Sequence, residues 1–198
     1  MNYLAHFKLA AEHPELLVGN LLADHVKGKL NGRFDVGIES GIRLHRAIDA
    51  FTDSHHLVQS SHARFHCKYR RYGGIITDLA FDHFLAVNWN QYDSRPLGVF
   101  CRDTTNKIMR FKNCLLDPAR NQLERMIESK SMEHYIDPKF IRKSLIYLSK
   151  KLKRQNPLGS GYSQFNIFER ELRNDFLLFF PELQKFADSW IKKHYHLN

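Results

Sequence analysis

The 198-residue chain is poor in cysteine, proline and glycine, with 3, 6 and 10 of each. The cysteines, at 67, 101 and 114, are odd in number and none stands in C-x-x-C spacing. A disulfide scaffold and a zinc finger are therefore set aside, and reduced thiols in a cytoplasmic setting are expected. So few prolines and glycines exclude collagen-like and low-complexity architectures. No self-similarity occurs at the periods of solenoids or propellers. Met1-Asn2-Tyr3-Leu4-Ala5-His6 shows no basic segment leading into an apolar one, so a signal peptide is not expected. The longest uncharged stretch nearby, 16–23, is far short of a membrane span, and no membrane partner is expected. Alternating apolar and polar residues, the mark of half-buried strands, are nearly missing.

What the chain has is helical pattern, an uneven charge and misplaced polar residues. Apolar residues make up 43% and charged residues 26%, a balance that supports a folded core. The formal charge of +9 is concentrated: residues 102–154 hold 14 basic and 6 acidic side chains, whereas the segments on either side are close to neutral. The densest cluster is Lys150, Lys151, Lys153 and Arg154. Such a segment is either an ordinary solvated helix face or a landing surface for an acidic partner. It carries no helix-turn-helix, RNP or KH pattern, so nucleic acid is not the expected partner. Nine of the twelve histidines lie at or before His83, which places any chemistry in the first half of the chain.

Helical periodicity predicts helices over 16–27, 36–52, 74–89 and 96–115, with Pro96 in a first turn. Asp117-Pro118 and Asp137-Pro138 open two more, each with the aspartate as cap. After the loop at 156–161 come 165–180 and, behind Pro181, 182–195. The expectation is all-α: one compact multi-helix domain over 1–198.

Several polar side chains fall on faces that should be buried. In 75–89 apolar residues cover the whole circumference, yet Asp78 and Asp82 stand one turn apart among them, with no Lys or Arg in the helix to pair them. Buried carboxylates cost several kcal/mol unless paired or bound to a metal. In 37–53, His45, Asp49 and Asp53 recur at i, i+4, i+8 within an arc of about 80°. Glu39, Arg43 and Arg46 occupy another side, read as solvent or rim face. Asp24 sits at the margin of an apolar face and His6 lies between Leu4 and Phe7. One inward histidine is usually a satisfied core residue; six or seven inward His and Asp residues argue for a shared purpose. Imidazole with carboxylate suits Mn²⁺, Fe²⁺ or Zn²⁺, and a carboxylate-rich set leans to Mn²⁺ or Mg²⁺. A metal-held water suits phosphoester hydrolysis. The remaining histidines read as peripheral: His55 and His56 as loop, His62 and His66 as surface, His134, His194 and His196 as exposed. A rival reading is a non-enzymatic basic helical domain that binds RNA or an acidic protein.

Four blocks carry a resemblance: NYLAHFKLA at the start, GNLLADHVKG at 19–28, GIRLHRAIDAFTDSH at 41–55 and ITDLAFDHFLAVNW at 76–89. In order and spacing they resemble the acyl carrier protein phosphodiesterase family. The resemblance implies an all-α fold like that of the HD phosphohydrolases. It also implies a metal-dependent activity, Mn²⁺ in particular, that hydrolyses the phosphodiester between 4′-phosphopantetheine and a serine of holo acyl carrier protein. It further implies a small, strongly acidic protein substrate, which suits a docking role for Lys150, Lys151, Lys153 and Arg154. Matching motifs nominate His6, Asp24, His45, Asp49, Asp53, Asp78, Asp82 and His83. Within that group His45, Asp49, Asp78 and Asp82 are assigned to the metal, Asp24 and His6 to assisting it, and His83 to protonating the leaving serine oxygen. Asp53 and Arg46 are assigned to supporting the ligands from behind. The HD superfamily is named for a His-Asp pair, whereas this chain has Asp82-His83, in reverse order. An HD-like phosphohydrolase acting on a nucleotide or another small phosphoester is the nearest alternative.

Overall fold

Gly19 and Gly41 face each other where two helices come closer than side chains normally permit. A Cβ on Gly19 would lie 2.2 Å from the Ile38 carbonyl oxygen, and one on Gly41 would lie 2.6 Å from that of Leu16. These glycines belong to α2 (Pro14–Ala23) and α3 (Val36–Ser54), the most intimately packed helix pair of the molecule. The computed structural model describes residues 2–10 and 12–195, and His196 lies outside them.

Among the described residues there are seven further α-helices and no strands. They are α1 (Tyr3–Ala10), α4 (His56–Arg64), α5 (Gly73–Val87), α6 (Leu97–Met109), α7 (Asp117–Ser129), α8 (Pro138–Lys151) and α9 (Tyr162–His194). The all-α expectation holds. α5 is the centre: it packs on α9, α1, α4 and α8, which explains apolar residues all around it. Phe81 and Phe84 of α5 meet Phe176 of α9 at ring separations of 5.6 and 6.0 Å, in a core where Phe179 and Phe180 are also fully buried. None of the described helices is long and apolar enough to cross a membrane.

Several boundaries differ from the periodicity, each for a local reason. The helix expected over 16–27 begins at Pro14, which suits a first turn, and ends at Ala23, ahead of a left-handed Gly28 (φ 77°). The helix expected over 96–115 stops at Met109 and continues only as a 3-10 turn at Lys112–Cys114. Asp137 caps α8, accepting the Lys139 N–H at 2.9 Å. Asp117 does not cap α7: it is already the first helical residue and pairs with Arg120 at 3.3 Å. Pro181 does not divide two helices but lies inside α9. An interior proline forfeits a hydrogen bond and costs about 3 kcal/mol. Phe180 and Leu183, on either side of it, are both fully buried and anchor the helix to the core. The departure from helical dihedrals comes instead at Phe168 (φ −112°, ψ 16°). Glu39 is a further correction: it is buried rather than on a solvent face, its carboxylate accepting from Arg43 Nη2 at 2.6 Å.

Candidate active site

Four elements meet around a pocket of about 340 Å³. α1 supplies His6 and Tyr3, the end of α2 supplies Asp24, α3 supplies His45, Asp49 and Asp53, and α5 supplies Asp78. The close approach of α2 and α3 at Gly19 and Gly41 brings Asp24, at the end of α2, to His45. Arg46 fixes the chain after Asp24, donating from Nη2 to the Val26 carbonyl at 2.7 Å and from Nη1 to the Gly28 carbonyl at 3.0 Å.

The floor of the pocket is a pair of stacked imidazoles. His6 and His45 are both buried, with ring centroids 3.9 Å apart and planes 12° apart. Asp49 bridges them: Oδ1 lies 3.1 Å from His6 Nε2 and Oδ2 lies 3.2 Å from His45 Nε2. Asp24 Oδ1 approaches the same His45 nitrogen at 3.5 Å, and its other oxygen accepts the Tyr3 hydroxyl. Burial opposes charge on every member, and the pair resolves the conflict unevenly. Burial, with His45 adding to it, pushes His6 down to about 4. Burial also works against His45, but Asp24 and Asp49 outweigh it and raise it to about 9. The carboxyl of Asp49 would be raised by burial, yet the adjoining imidazoles of His45 and His6 hold it well below the usual carboxylate range. Asp24 is likewise lowered: burial opposes, and His45 and Tyr3 prevail.

These groups fit a divalent cation. One donor atom from each of His6, His45 and Asp49 lies within 4.8 Å of the others. Metal–ligand bonds of about 2.0–2.2 Å set neighbouring donors roughly 3 Å apart, the scale of the Asp49 contacts. Buried polar atoms of the pair are also left over: among the described residues His6 Nδ1 and His45 Nδ1 have no hydrogen-bond partner, and the His6 Nε2 contact lacks hydrogen-bond direction. Two buried, incompletely satisfied imidazoles beside low-pKa carboxylates would be costly as a purely structural arrangement.

The structure brings together His6, Asp24, His45 and Asp49, with Asp53 and Asp78 on the same pocket. It does not bring Asp82 or His83 there. Asp82 is fully buried, and neither carboxylate oxygen has a well-formed hydrogen bond among the described residues. Burial, assisted by Asp78, raises it to about 7, against the pull of the Asn2 and Leu4 N–H groups at the start of α1. His83, adjacent in sequence but on another side of α5, packs on Phe84 and Phe165 and donates Nδ1–H to the Tyr135 carbonyl at 2.7 Å. It is a core histidine with burial lowering its pKa, and its ring is engaged away from the pocket.

Two residues escaped the sequence reading. Tyr3 lines the pocket; its place one turn before His6 on the same helix was the available signal. His62, expected at the surface, is half-buried with Nε2 unpartnered among the described residues; burial lowers its pKa while Asp78 and Asp53 pull it upward. His66 is exposed as expected, because α4 ends at Arg64 and breaks the i, i+4 pair. His55 is the single non-helical residue between α3 and α4, but it is buried: its Nδ1 accepts the Leu57 N–H at 3.4 Å and its Nε2 lies 3.1 Å from Glu182 Oε2, while His56, expected as loop, is the exposed first residue of α4. His134 and His194 are exposed, as are Lys150, Lys151, Lys153 and Arg154 at the end of α8 and beyond it.

The pocket brings His and Asp residues from four helices of an all-α domain into a group that could hold a divalent cation. The family described as acyl carrier protein phosphodiesterase matches residues 1–183. Relatives of that description include those of Serratia proteamaculans, 32% identical over 94% of this chain and 97% of the relative, and Yersinia pestis, 33% identical over the same shares. That of Klebsiella pneumoniae is 29% identical over 96% and 98%. No solved structure matches the chain. The chain belongs to the acyl carrier protein phosphodiesterase family, and is a hydrolase.

Proposed function

We propose that the protein hydrolyses the phosphodiester that joins 4′-phosphopantetheine to the serine of holo acyl carrier protein, with Mn²⁺ in the pocket. The observation that carries this reading is Asp49 bridging two stacked, buried imidazoles at 3.1 and 3.2 Å, in a chain of this family. His6, His45 and Asp49 would hold the cation and Asp24 would complete the set. When bound, such a cation supplies a water of lowered pKa and neutralises charge on phosphoryl oxygens.

The chain's own residues do the rest. Tyr3 keeps its proton, since burial and Asp24 raise its pKa, and so orients Asp24 through the hydrogen bond it donates. Asp49 fixes both rings and keeps His6 and His45 in register. Asp53 and Asp78 line the pocket outside the ligand set and offer carboxylate oxygens to accept a proton from the attacking water. Lys150, Lys151, Lys153 and Arg154 lie in the segment that draws in the acidic carrier protein.

The test is mass spectrometry of holo acyl carrier protein incubated with the Mn²⁺-loaded protein. Conversion to the apo mass is expected, with chelation stopping it and Mn²⁺ restoring it. His6→Ala and Asp49→Asn should each lower turnover by about 100-fold or more, since even groups that only support ligands cost 10–100-fold. Holo protein left intact under these conditions overturns the reading.

A further inference from the structure

α7 and α8 leave a cleft of about 480 Å³ between them, separate from the pocket. Its α8 wall is a single helical stripe. Phe140, Lys143 and Tyr147 line the cleft at i, i+3 and i+7, and Lys151 follows at i+11. Ile141 and Leu145, on the other face, are fully buried. Tyr147 is 59% exposed, a large ring left in water with Lys151 Nζ 5.3 Å from its centroid. The α7 wall carries Arg125 and a single carboxylate, Glu128. Among the described residues, Arg125, Lys143 and Lys151 take part in no ion pair. An apolar floor rimmed by uncommitted cations is complementary to a helix with an apolar stripe between acidic ones.

The cleft and the pocket are separate, but α7 reaches towards both. One turn before Arg125, Gln122 lies 3.1 Å from His25 Nε2, and its side chain acts on Tyr3, lowering the pKa of that hydroxyl against burial and Asp24. Tyr3 lines the pocket and holds Asp24. A partner seated between α7 and α8 therefore sits against the same helix that borders the reacting groups.

We propose that the α7–α8 cleft docks an acidic amphipathic helix of the carrier-protein substrate, its apolar side over Phe140 and Tyr147 and its carboxylates on Arg125, Lys143 and Lys151. This deepens the reading above and rests on it for the identity of the partner. A polyanionic nucleic acid suits the cleft less well, because Glu128 stands in its wall.

The test uses the full-length, Mn²⁺-loaded protein and two readouts. The first is the Kd for fluorescently labelled holo acyl carrier protein; the second is hydrolysis of bis(p-nitrophenyl) phosphate, which engages the pocket alone and reports a folded site. The Arg125→Glu/Lys143→Glu pair and Tyr147→Ala should each weaken carrier binding about tenfold or more while the small diester is still cleaved. A Kd unchanged by both variants overturns the dock, as does a Kd that moves only with Lys153→Glu/Arg154→Glu. Binding that is lost in the cleft variants, with a wild-type protein that never releases phosphopantetheine, keeps the dock and overturns the reaction. Binding of a single-stranded oligonucleotide that is lost in the cleft variants, with carrier binding insensitive to them, overturns the dock and assigns the cleft to nucleic acid instead.

Discussion

His6 on α1 and His45 on α3 stack with ring centroids 3.9 Å apart, and one carboxylate, Asp49, serves both. Two buried imidazoles at that distance cannot both be charged without a strong penalty. The proton resides on His45, raised to about 9, and is refused by His6, lowered to about 4.

That asymmetry makes the cation-free protein pH-sensitive. The folded-state pKa of His45 lies above the ordinary 6.5, so its stabilisation is fully present below pH 6.5 and is lost as pH rises through about 9. The amount at stake is about 3 kcal/mol at most. Asp49 is 43% exposed, and solvent screening discounts its own large shift. Urea denaturation of chelator-treated protein between pH 6.5 and 9.5 should show this fall, and His45→Gln should flatten it. Saturating Mn²⁺ should abolish it, because the cation displaces the proton.

Asp82 has the opposite character: a carboxyl raised to about 7 by burial holds a proton in the folded state that the unfolded chain gives up near 3.8. Stability is therefore lost as pH rises from about 4 to 7, and levels off above. Asp82→Asn removes the ionisation while keeping the shape. Relative to the parent, its stability should improve by about 2–3 kcal/mol on going from pH 5 to pH 8, read from thermal or denaturant melts. A stability difference independent of pH would show that the carboxyl is ionised in the folded protein.

His83→Phe should separate packing from chemistry. It leaves the Tyr135 carbonyl without the N–H it accepts at 2.7 Å, a loss of about 1–3 kcal/mol. Turnover per folded molecule should stay within about twofold, measured on carrier protein at a temperature where both proteins are folded. A collapse of turnover with stability preserved would restore His83 to the chemistry.

Gly41→Ala tests the frame of the site. The new Cβ would meet the Leu16 carbonyl oxygen at 2.6 Å and the Gly19 Cα at 2.8 Å, backbone atoms that cannot swing aside. α2 and α3 must separate, at about 3 kcal/mol, and Asp24 moves away from His45. Weaker Mn²⁺ binding by calorimetry, together with a lower melting temperature, is the expected result; an unchanged metal affinity would show that Asp24 is not needed to hold the cation.

The residues that fill the interior announced themselves by period. The 3.6-residue repeat identified most of the helices but not the short α1 and α4, and the apolar circumference of 75–89 marked α5 as a buried one. The carboxylates and imidazoles on apolar faces marked His6, Asp24, His45, Asp49, Asp53, Asp78 and Asp82 as a set, because a buried charge needs a partner whatever the fold; the set included Asp82, which the fold keeps out of the pocket. Periodicity could not say which partner each one has. Asp78 and Asp82 share a side of one helix, yet Asp78 reaches the pocket and Asp82 lies beneath the start of α1; a helical wheel gives direction but not what stands opposite. The next residue in sequence was equally opaque: only the fold shows that His83 turns towards Tyr135.

An all-helical chain, a basic middle segment and a His/Asp group needing partners were legible in the residues alone, since these follow from local periodicity and the cost of burying charge. It took the fold to show that α1 delivers His6 onto His45, that Gly19 and Gly41 bring Asp24 within reach, that Glu39 is buried and that Pro181 sits within α9 rather than at its start. Those outcomes depend on contacts between residues far apart in the chain, and no local pattern encodes such distances.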